Sequence, residues 1–408
     1  MKKKKILIIC QHFWPEGFRV NDICDYFVEN NYEIEVLCGI PNYPKGKFFD
    51  GYSYFKNRRQ VHHNAIIHRT FEIPRGNNTN IKIFLNYISF PLASLFHIPR
   101  LLTKRYDKIF IYQLSPVMMS LAGVIIGRLK KIETTMYVLD LWPENLYSVI
   151  DVKNKAMRWL AEKHSHWYYK KADKLVGLSN AMQTKLLEAT GKPKNRVIVL
   201  PQACEKVYEE TIHDKVLAKR FSDSFNVLFA GNISPAQSFE TILEAAQILK
   251  NSGLRDINWI IVGDGMSRNW LEKEVNNAGL KNNFYFEGHK PIGDIPKYTD
   301  IADVLVGCLV KSNLLEATIP AKVMSYIAAG KPIVLAMDGE VQELINKTIK
   351  CGFVGPTEDA KQLANNIKKV YTMSDLQRNA MGKRGRNYHM KHLERNITLN
   401  KLLNFMFS

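Results

Sequence analysis

The chain has 408 residues, 46% hydrophobic and 24% charged, an ordinary globular composition with enough length for two domains. Its formal net charge of +18 is uneven, with 31 basic against 17 acidic residues in 1–205 and 26 against 22 in 206–408. Six scattered cysteines (Cys10, Cys24, Cys38, Cys204, Cys308, Cys351) form no CxxC pair or metal-ligand spacing, which excludes a zinc or disulfide framework and suits buried thiols in a reducing compartment.

The basic N-terminal half calls for an anionic partner: a membrane surface or a phosphorylated substrate. No RNA-binding or helix-turn-helix signature accompanies it, so nucleic acid is not expected. Four lysines precede Ile6–Cys10, but this apolar run is too short for a signal-peptide core and reads as a first buried strand. Lys5–Cys10, Glu33–Gly39, Ala65–Arg69, Lys108–Tyr112, Thr134–Leu139, Lys174–Leu178 and Val197–Pro201 have strand character, with helical patterns between them at Arg19–Asn30 and Met118–Lys131. Ile83–Pro99 holds no charged residue and is followed by Arg100, Lys104 and Arg105. Asn86, Pro91, His97 and Pro99 argue against a spanning helix. A buried helix and a helix lying in the membrane interface both stay open.

Residues 206–224 carry charge without periodicity and read as a linker between domains at 1–205 and 225–380. The alternation restarts with strands at Phe225–Ala230, Asn258–Val262, Asn283–Glu287, Val304–Val310 and Pro332–Ala336. Helices are expected at Phe239–Ser252, Arg268–Ala278, Ala321–Ala329 and Asp359–Met373, with a last basic helix, 381–408, packing across the domain junction. Strands alternating with helices predict an α/β protein of two Rossmann-like, doubly wound domains.

Ligands of such sheets bind beyond the carboxyl ends of the strands, so the loops there hold the candidates. After the first strand comes Gln11–Val20, where Gly17 permits close backbone approach and Arg19 supplies charge. Asp140 ends a strand before Trp142-Pro143-Glu144; it suits orienting a sugar hydroxyl or accepting a proton, and equally a helix cap. Phe229–Ser238 opens the second domain with Gly231, Asn232 and Gln237. Ile261–Arg268 ends a strand in Gly263-Asp-Gly265, with Arg268 placed either to grip a phosphate or to lie solvated. Pro320–Val334 reads as a helix starting at Pro320 and stopping at Gly330. Its start, with Lys322 in the first turn, is a natural phosphate seat.

Taken in order, QHFWPEGFRVND, GIPNYPKGKFFDGY (39–52), VLDLWPENL (138–146), LSNAM, LPQACE, AGNISPAQSFETILEAA (230–246), VGDG (262–265) and PAKVMSYIAAGKPIV (320–334) resemble the GT-B retaining glycosyltransferases of family 4. The closest likeness is to the bacterial surface-polysaccharide subgroup typified by the N-acetyl-L-fucosamine transferases. The resemblance implies a nucleotide-sugar donor, here a UDP-activated N-acetylated deoxysugar such as UDP-N-acetyl-L-fucosamine, bound mainly by the C-terminal domain. It implies a lipid-linked saccharide acceptor on the N-terminal domain, a central cleft between the two, and no metal or other cofactor. Such an enzyme would be cytoplasmic and peripheral to the inner face of the cell membrane, serving capsule, O-antigen or exopolysaccharide synthesis. Asp140, Glu144 and Lys322 take the catalytic roles. Gly17, Arg19, Gly231, Asn232, Gln237, Gly263, Gly265, Arg268, Thr318, Ser325 and Glu340 take the donor contacts. Where many members carry Arg and Lys after the first strand of the C-terminal domain, this chain has Asn232 and Gln237. The family's Glu–x7–Glu pair falls on Ala317 and Ser325, with Glu316 one residue out of register. A UDP-sugar epimerase on the same scaffold and a non-catalytic nucleotide-binding protein are the alternative readings.

Overall fold

In the computed structural model, which describes residues 3–76, 79–149, 154–204, 206–208 and 210–408, the chain divides into two compact units. One comprises Met1–Pro201 with Leu399–Ser408, the other Gln202–Thr398. The first holds β1 (Lys5–Ile9), β2 (Glu33–Cys38), β3 (Arg59–His62), β4 (Ala65–Arg69), β5 (Lys108–Gln113), β6 (Thr134–Val138), β7 (Lys174–Gly177) and β8 (Val197–Val199). They form one sheet in the order β3-β4-β2-β1-β5-β6-β7-β8. All pairs are parallel except β3 with β4. The second unit holds β9 (Phe225–Ala230), β10 (Ile257–Val262), β11 (Phe284–Gly288), β12 (Val304–Cys308), β13 (Ile333–Ala336) and β14 (Gly352–Gly355). These form an all-parallel sheet in the order β11-β10-β9-β12-β13-β14. Each unit is doubly wound, as the alternation predicts.

The central strands are buried on both faces, so they read as continuous apolar runs. In β9, Val227 and Phe229 pack on one side with Phe239, Leu363 and Ile367. Leu228 and Ala230 pack on the other with Tyr298, Val323 and Ile327. The six cysteines are buried and form no disulfide.

Four features differ from the sequence reading. β3 is an edge strand of sequence RQVH with no buried residue, so no apolar run announces it. β14 is GFVG, and a Cβ at Gly352 would fall 1.9 Å from the Ile333 carbonyl oxygen; glycine makes that pairing possible and hides it from strand propensity. Residues 206–224 belong to the second unit: they include helix Lys215–Arg220, capped by the Asp214 carboxylate, and Phe221 lies in that unit's core. The expected helix 381–408 is broken. Helix Asp375–Tyr388 passes into a π turn at His389–Leu393. Glu394 then starts Arg395–Phe407 by accepting from the N–H groups of Asn396 and Ile397, both at 3.0 Å. The buried Lys174 ammonium holds the end of that helix, donating to the carbonyls of Phe405 at 2.8 Å and Ser408 at 2.7 Å.

The uncharged stretch 83–99 falls in helix Asn80–Leu95 and the start of Ile98–Leu102. Asn86, Phe90 and Ala93 are buried, whereas Ile81, Phe84, Leu85, Leu92 and Phe96 are exposed. Their offsets of three, four, eleven and fifteen residues from Ile81 keep these exposed groups on one side of the helix. Among the described residues no helix is long and apolar enough to cross a membrane.

Candidate functional site

In the second unit the winding reverses between β9 and β12, the position at which such sheets bind ligands. The loop after β9 and the end of β12 are tied there by the Val310 N–H donating to the Ala236 carbonyl at 3.1 Å. Helix Ala321–Ala329 is anchored over the same point by the buried Tyr326. Its hydroxyl accepts from the Ala230 N–H at 2.9 Å and donates to the Val306 carbonyl at 3.1 Å, so it touches both strands. Lys322, one turn earlier on that face, lies with its Nζ 4.1 Å from the centroid of the Phe229 ring and donates to Gln237 Oε1. Among the described residues no carboxylate pairs with it, and burial pulls its pKa down to about 7. A cation held over an aromatic ring with only an amide for company is poised for an incoming anion.

Gly231 lies directly against this lysine: a Cβ there would stand 3.1 Å from Lys322 Nζ. Gly263 and Gly265 serve packing between loops. Cβ atoms at these positions would fall 1.9 Å from the Gly231 oxygen and 2.2 Å from the Ile233 oxygen, and the Ile233 N–H donates to the Asp264 carbonyl at 2.9 Å. Asn232 is exposed beside Gly265. Arg268 is engaged by acidic partners, donating to Glu272 at 2.8 Å with Asp264 at 3.6 Å; the Glu272 bond raises its pKa. Thr318 donates to the Leu315 carbonyl at 3.2 Å, and Ser325 is buried in the helix with its hydroxyl 3.5 Å from the Ala321 carbonyl. Glu340 begins helix Glu340–Glu343 after Gly339. A Cβ at Gly339 would stand 2.1 Å from the Glu316 carbonyl oxygen, which brings that helix start beside the 312–320 segment. Pro320 caps its helix rather than entering it, and Gly330 takes the left-handed conformation at the other end with φ +72°.

In the first unit the reversal falls between β1 and β5. Gly17 is exposed, with open space where a side chain would be, and Arg19 is half-buried at the entry to helix Val20–Glu29. The Asp140 carboxylate accepts from the Ser115 N–H at 2.8 Å, linking the ends of β6 and β5. Glu144 pairs with Lys185 at 3.1 Å, both partly exposed.

Sequence reasoning passed over the most crowded group in this unit. Glu16 is buried and accepts from the backbone N–H groups of Tyr43 at 2.7 Å, Asn42 at 2.9 Å and Phe13 at 3.2 Å, with His12 Nδ1 at 3.1 Å. A carboxylate can only accept, so His12 carries its proton on Nδ1 when neutral. Its buried Nε2 has no hydrogen-bond partner among the described residues. Nearby, Glu72 Oε1 accepts from Asn86 at 2.7 Å and Gln11 at 2.8 Å. Its Oε2 has no such partner, and burial pushes its pKa up to about 6. One signal was in view: His12 and Glu16 stand four apart in the loop already singled out. Glu72 and Asn86 gave none, being 61 and 75 residues from Gln11.

With this geometry in view, the chain can be set beside known proteins. Residues 212–388 match the family of glycosyl transferases group 1. The matched stretch lies within the second unit. Proteins similar to this chain include the Escherichia coli (strain K12) protein described as "Putative colanic acid biosynthesis glycosyl transferase WcaI", 23% identical over 82% of this chain and 83% of that protein. They also include the amylovoran biosynthesis glycosyltransferase AmsK of Erwinia amylovora, 26% identical over 51% of this chain and 50% of AmsK. Among solved structures, Anabaena Alr3699/HepE in complex with UDP and glucose superposes with a TM-score of 0.70 at 16% identity, covering 98% of each chain. WaaG, a glycosyltransferase involved in lipopolysaccharide biosynthesis, gives 0.68 at 15% identity over 98% of this chain and 99% of that one. These likenesses establish the GT-B fold.

Proposed function

We propose that the protein transfers a sugar from a UDP-activated donor to a lipid-linked saccharide in surface-polysaccharide biosynthesis, with retention of anomeric configuration and without a metal. The observation that carries this is Lys322: a cation without a carboxylate partner among the described residues, at the start of a helix, over the switch point of the second unit. Departure of a nucleoside diphosphate develops negative charge where the Lys322 ammonium and the helix N-terminus offer positive charge. With the leaving group stabilised in this way, the departing phosphate oxygen itself takes the acceptor proton, which is the retaining course. The complex of HepE with UDP and the exopolysaccharide relatives support the donor and the pathway class. UDP-N-acetyl-L-fucosamine is the donor we put first. Lys322→Ala should lower turnover about 100-fold, the usual loss for one charge-stabilising group. Unchanged turnover in a transfer assay would remove Lys322 from the mechanism.

We place the protein on the cytoplasmic face of the membrane. Its contact is the apolar side of helix Asn80–Leu95, with Lys82 on that helix and Arg100, Lys104 and Arg105 following. Each Phe or Leu inserted there would contribute about 1.5–3 kcal/mol. Phe84→Ser with Leu92→Ser should move the protein from the pellet to the supernatant when sedimented with anionic vesicles. Equal sedimentation of this variant would exclude that face.

A further inference from the structure

The segment 39–52 is absorbed by none of the donor chemistry, yet it builds a second cationic site. Its loop is locked onto the loop after β4 through two glycines with positive φ, Gly46 at +67° and Gly76 at +56°. The Gly76 N–H donates to the Gly46 carbonyl at 2.8 Å, and a Cβ on Gly46 would fall 2.1 Å from the Gly76 oxygen. This contact sets Tyr43, whose backbone N–H is held by the buried Glu16, beside Arg75. The Arg75 guanidinium carbon lies 5.4 Å from the Tyr43 ring centroid and 5.4 Å from that of Tyr87. Its Nε donates to Asn86 Oδ1 at 3.2 Å, and Asn86 is itself fixed through its amide nitrogen by Glu72 and the Ile73 carbonyl, both at 2.7 Å. Among the described residues no carboxylate pairs with Arg75. A guanidinium held at its Nε and against two aromatic rings, with its Nη groups uncommitted to any acid, is preorganised for bidentate capture of an oxyanion.

We propose that Arg75, clamped by Tyr43 and Tyr87, binds a phosphate group of the acceptor, the diphosphate joining the saccharide to its lipid. This rests on the acceptor reading given under Proposed function and deepens it. Placement supports it. Asn86 and Tyr87 belong to the helix whose other side presents Phe84, Leu85 and Leu92 to solvent, so a lipid along that side would bring its headgroup to the level of Arg75.

The test is a calorimetric titration of the full chain, with the nucleotide site first saturated with UDP. The probes are farnesyl diphosphate in non-ionic detergent and inorganic pyrophosphate. Farnesyl diphosphate should bind more tightly than pyrophosphate. Arg75→Gln should weaken farnesyl diphosphate about 10- to 100-fold, the loss of a charge-assisted pair, and Arg75→Lys should weaken it less. UDP affinity should be unchanged in both variants, which reports that they are folded. Equal binding of farnesyl diphosphate by Arg75→Gln and the parent protein overturns the site. So does pyrophosphate binding as tightly as farnesyl diphosphate, which would mark a free-phosphate site. Failure of the parent protein to bind UDP would instead strike the donor reading, independently of Arg75.

Discussion

The two units present opposite solutions at the carboxyl edges of their sheets. In the C-terminal unit the switch point is sparse: one lysine, an aromatic ring beneath it, an amide beside it and glycine backbone packed around it. In the N-terminal unit the same edge is crowded, with His12, Glu16 and Glu72 all at most 2% exposed; Glu16 is held by His12 and Asn42, and Glu72 by Gln11 and Asn86. A diphosphate is a generic group, and one cation with helix N–H groups suffices for it. The crowded edge instead fixes side-chain positions before a ligand arrives, because several hydrogen bonds converge on each buried carboxylate. On the proposed function, acceptor recognition is assigned to the crowded edge and leaving-group stabilisation to the sparse one.

Perturbing each edge should give different kinds of loss. The largest effect falls on the sparse edge, where Lys322→Ala should cost turnover about 100-fold. At the crowded edge the loss should be in stability. Glu16→Gln weakens three backbone hydrogen bonds and the His12 contact, and should destabilise by about 2 kcal/mol, read by denaturant titration. A variant as stable as the parent would show that Glu16 does not hold the cluster. Glu72→Gln should have a smaller effect of opposite sign. The folded-state pKa of about 6 lies above the ordinary carboxyl value of 4.5, so the folded protein binds the extra proton between those values. Its stability then declines as pH rises from about 4.5 to 6 and carries the full penalty above. The neutral isostere should remove that penalty and stabilise by about 1–2 kcal/mol at pH 7–8. A Glu72→Gln protein less stable at pH 8 than the parent would mean that the carboxylate is favourable in its ionised form.

This contrast also separates what the sequence shows from what it hides. The central strands and the helix from Ala321 to Ala329 were legible, since apolar runs and Pro/Gly punctuation are local signals. Lys322 was legible for the same reason. The structure added Tyr326, which is one helical turn away and could have been read from the i, i+4 spacing. Arg268 had its partner Glu272 at that same spacing, a local signal pointing to a solvated ion pair. The crowded edge was not legible because tertiary folding assembles it: Gln11, Asn42, Glu72, Arg75 and Asn86 come from four segments, and no periodicity relates them. β14 was hidden because the glycines needed for its close pairing erase strand propensity, and the break at Glu394 because a glutamate serves as the cap.

UDP affinity measured against pH tests most directly the proposed role of Lys322 as the cation that receives the donor diphosphate. The folded-state pKa of about 7, against an ordinary 10.5, means that the buried charge destabilises the free protein below pH 7 and that this penalty is relieved between 7 and 10.5. Bound diphosphate reverses the preference by stabilising the ammonium. UDP binding should therefore take up a proton near pH 8, and affinity should fall as pH rises from 7 to 9, up to about tenfold per pH unit. That dependence should vanish in Lys322→Ala. A parent protein whose UDP affinity is flat from pH 7 to 9, or a Lys322→Ala variant that keeps the full slope, would contradict that role.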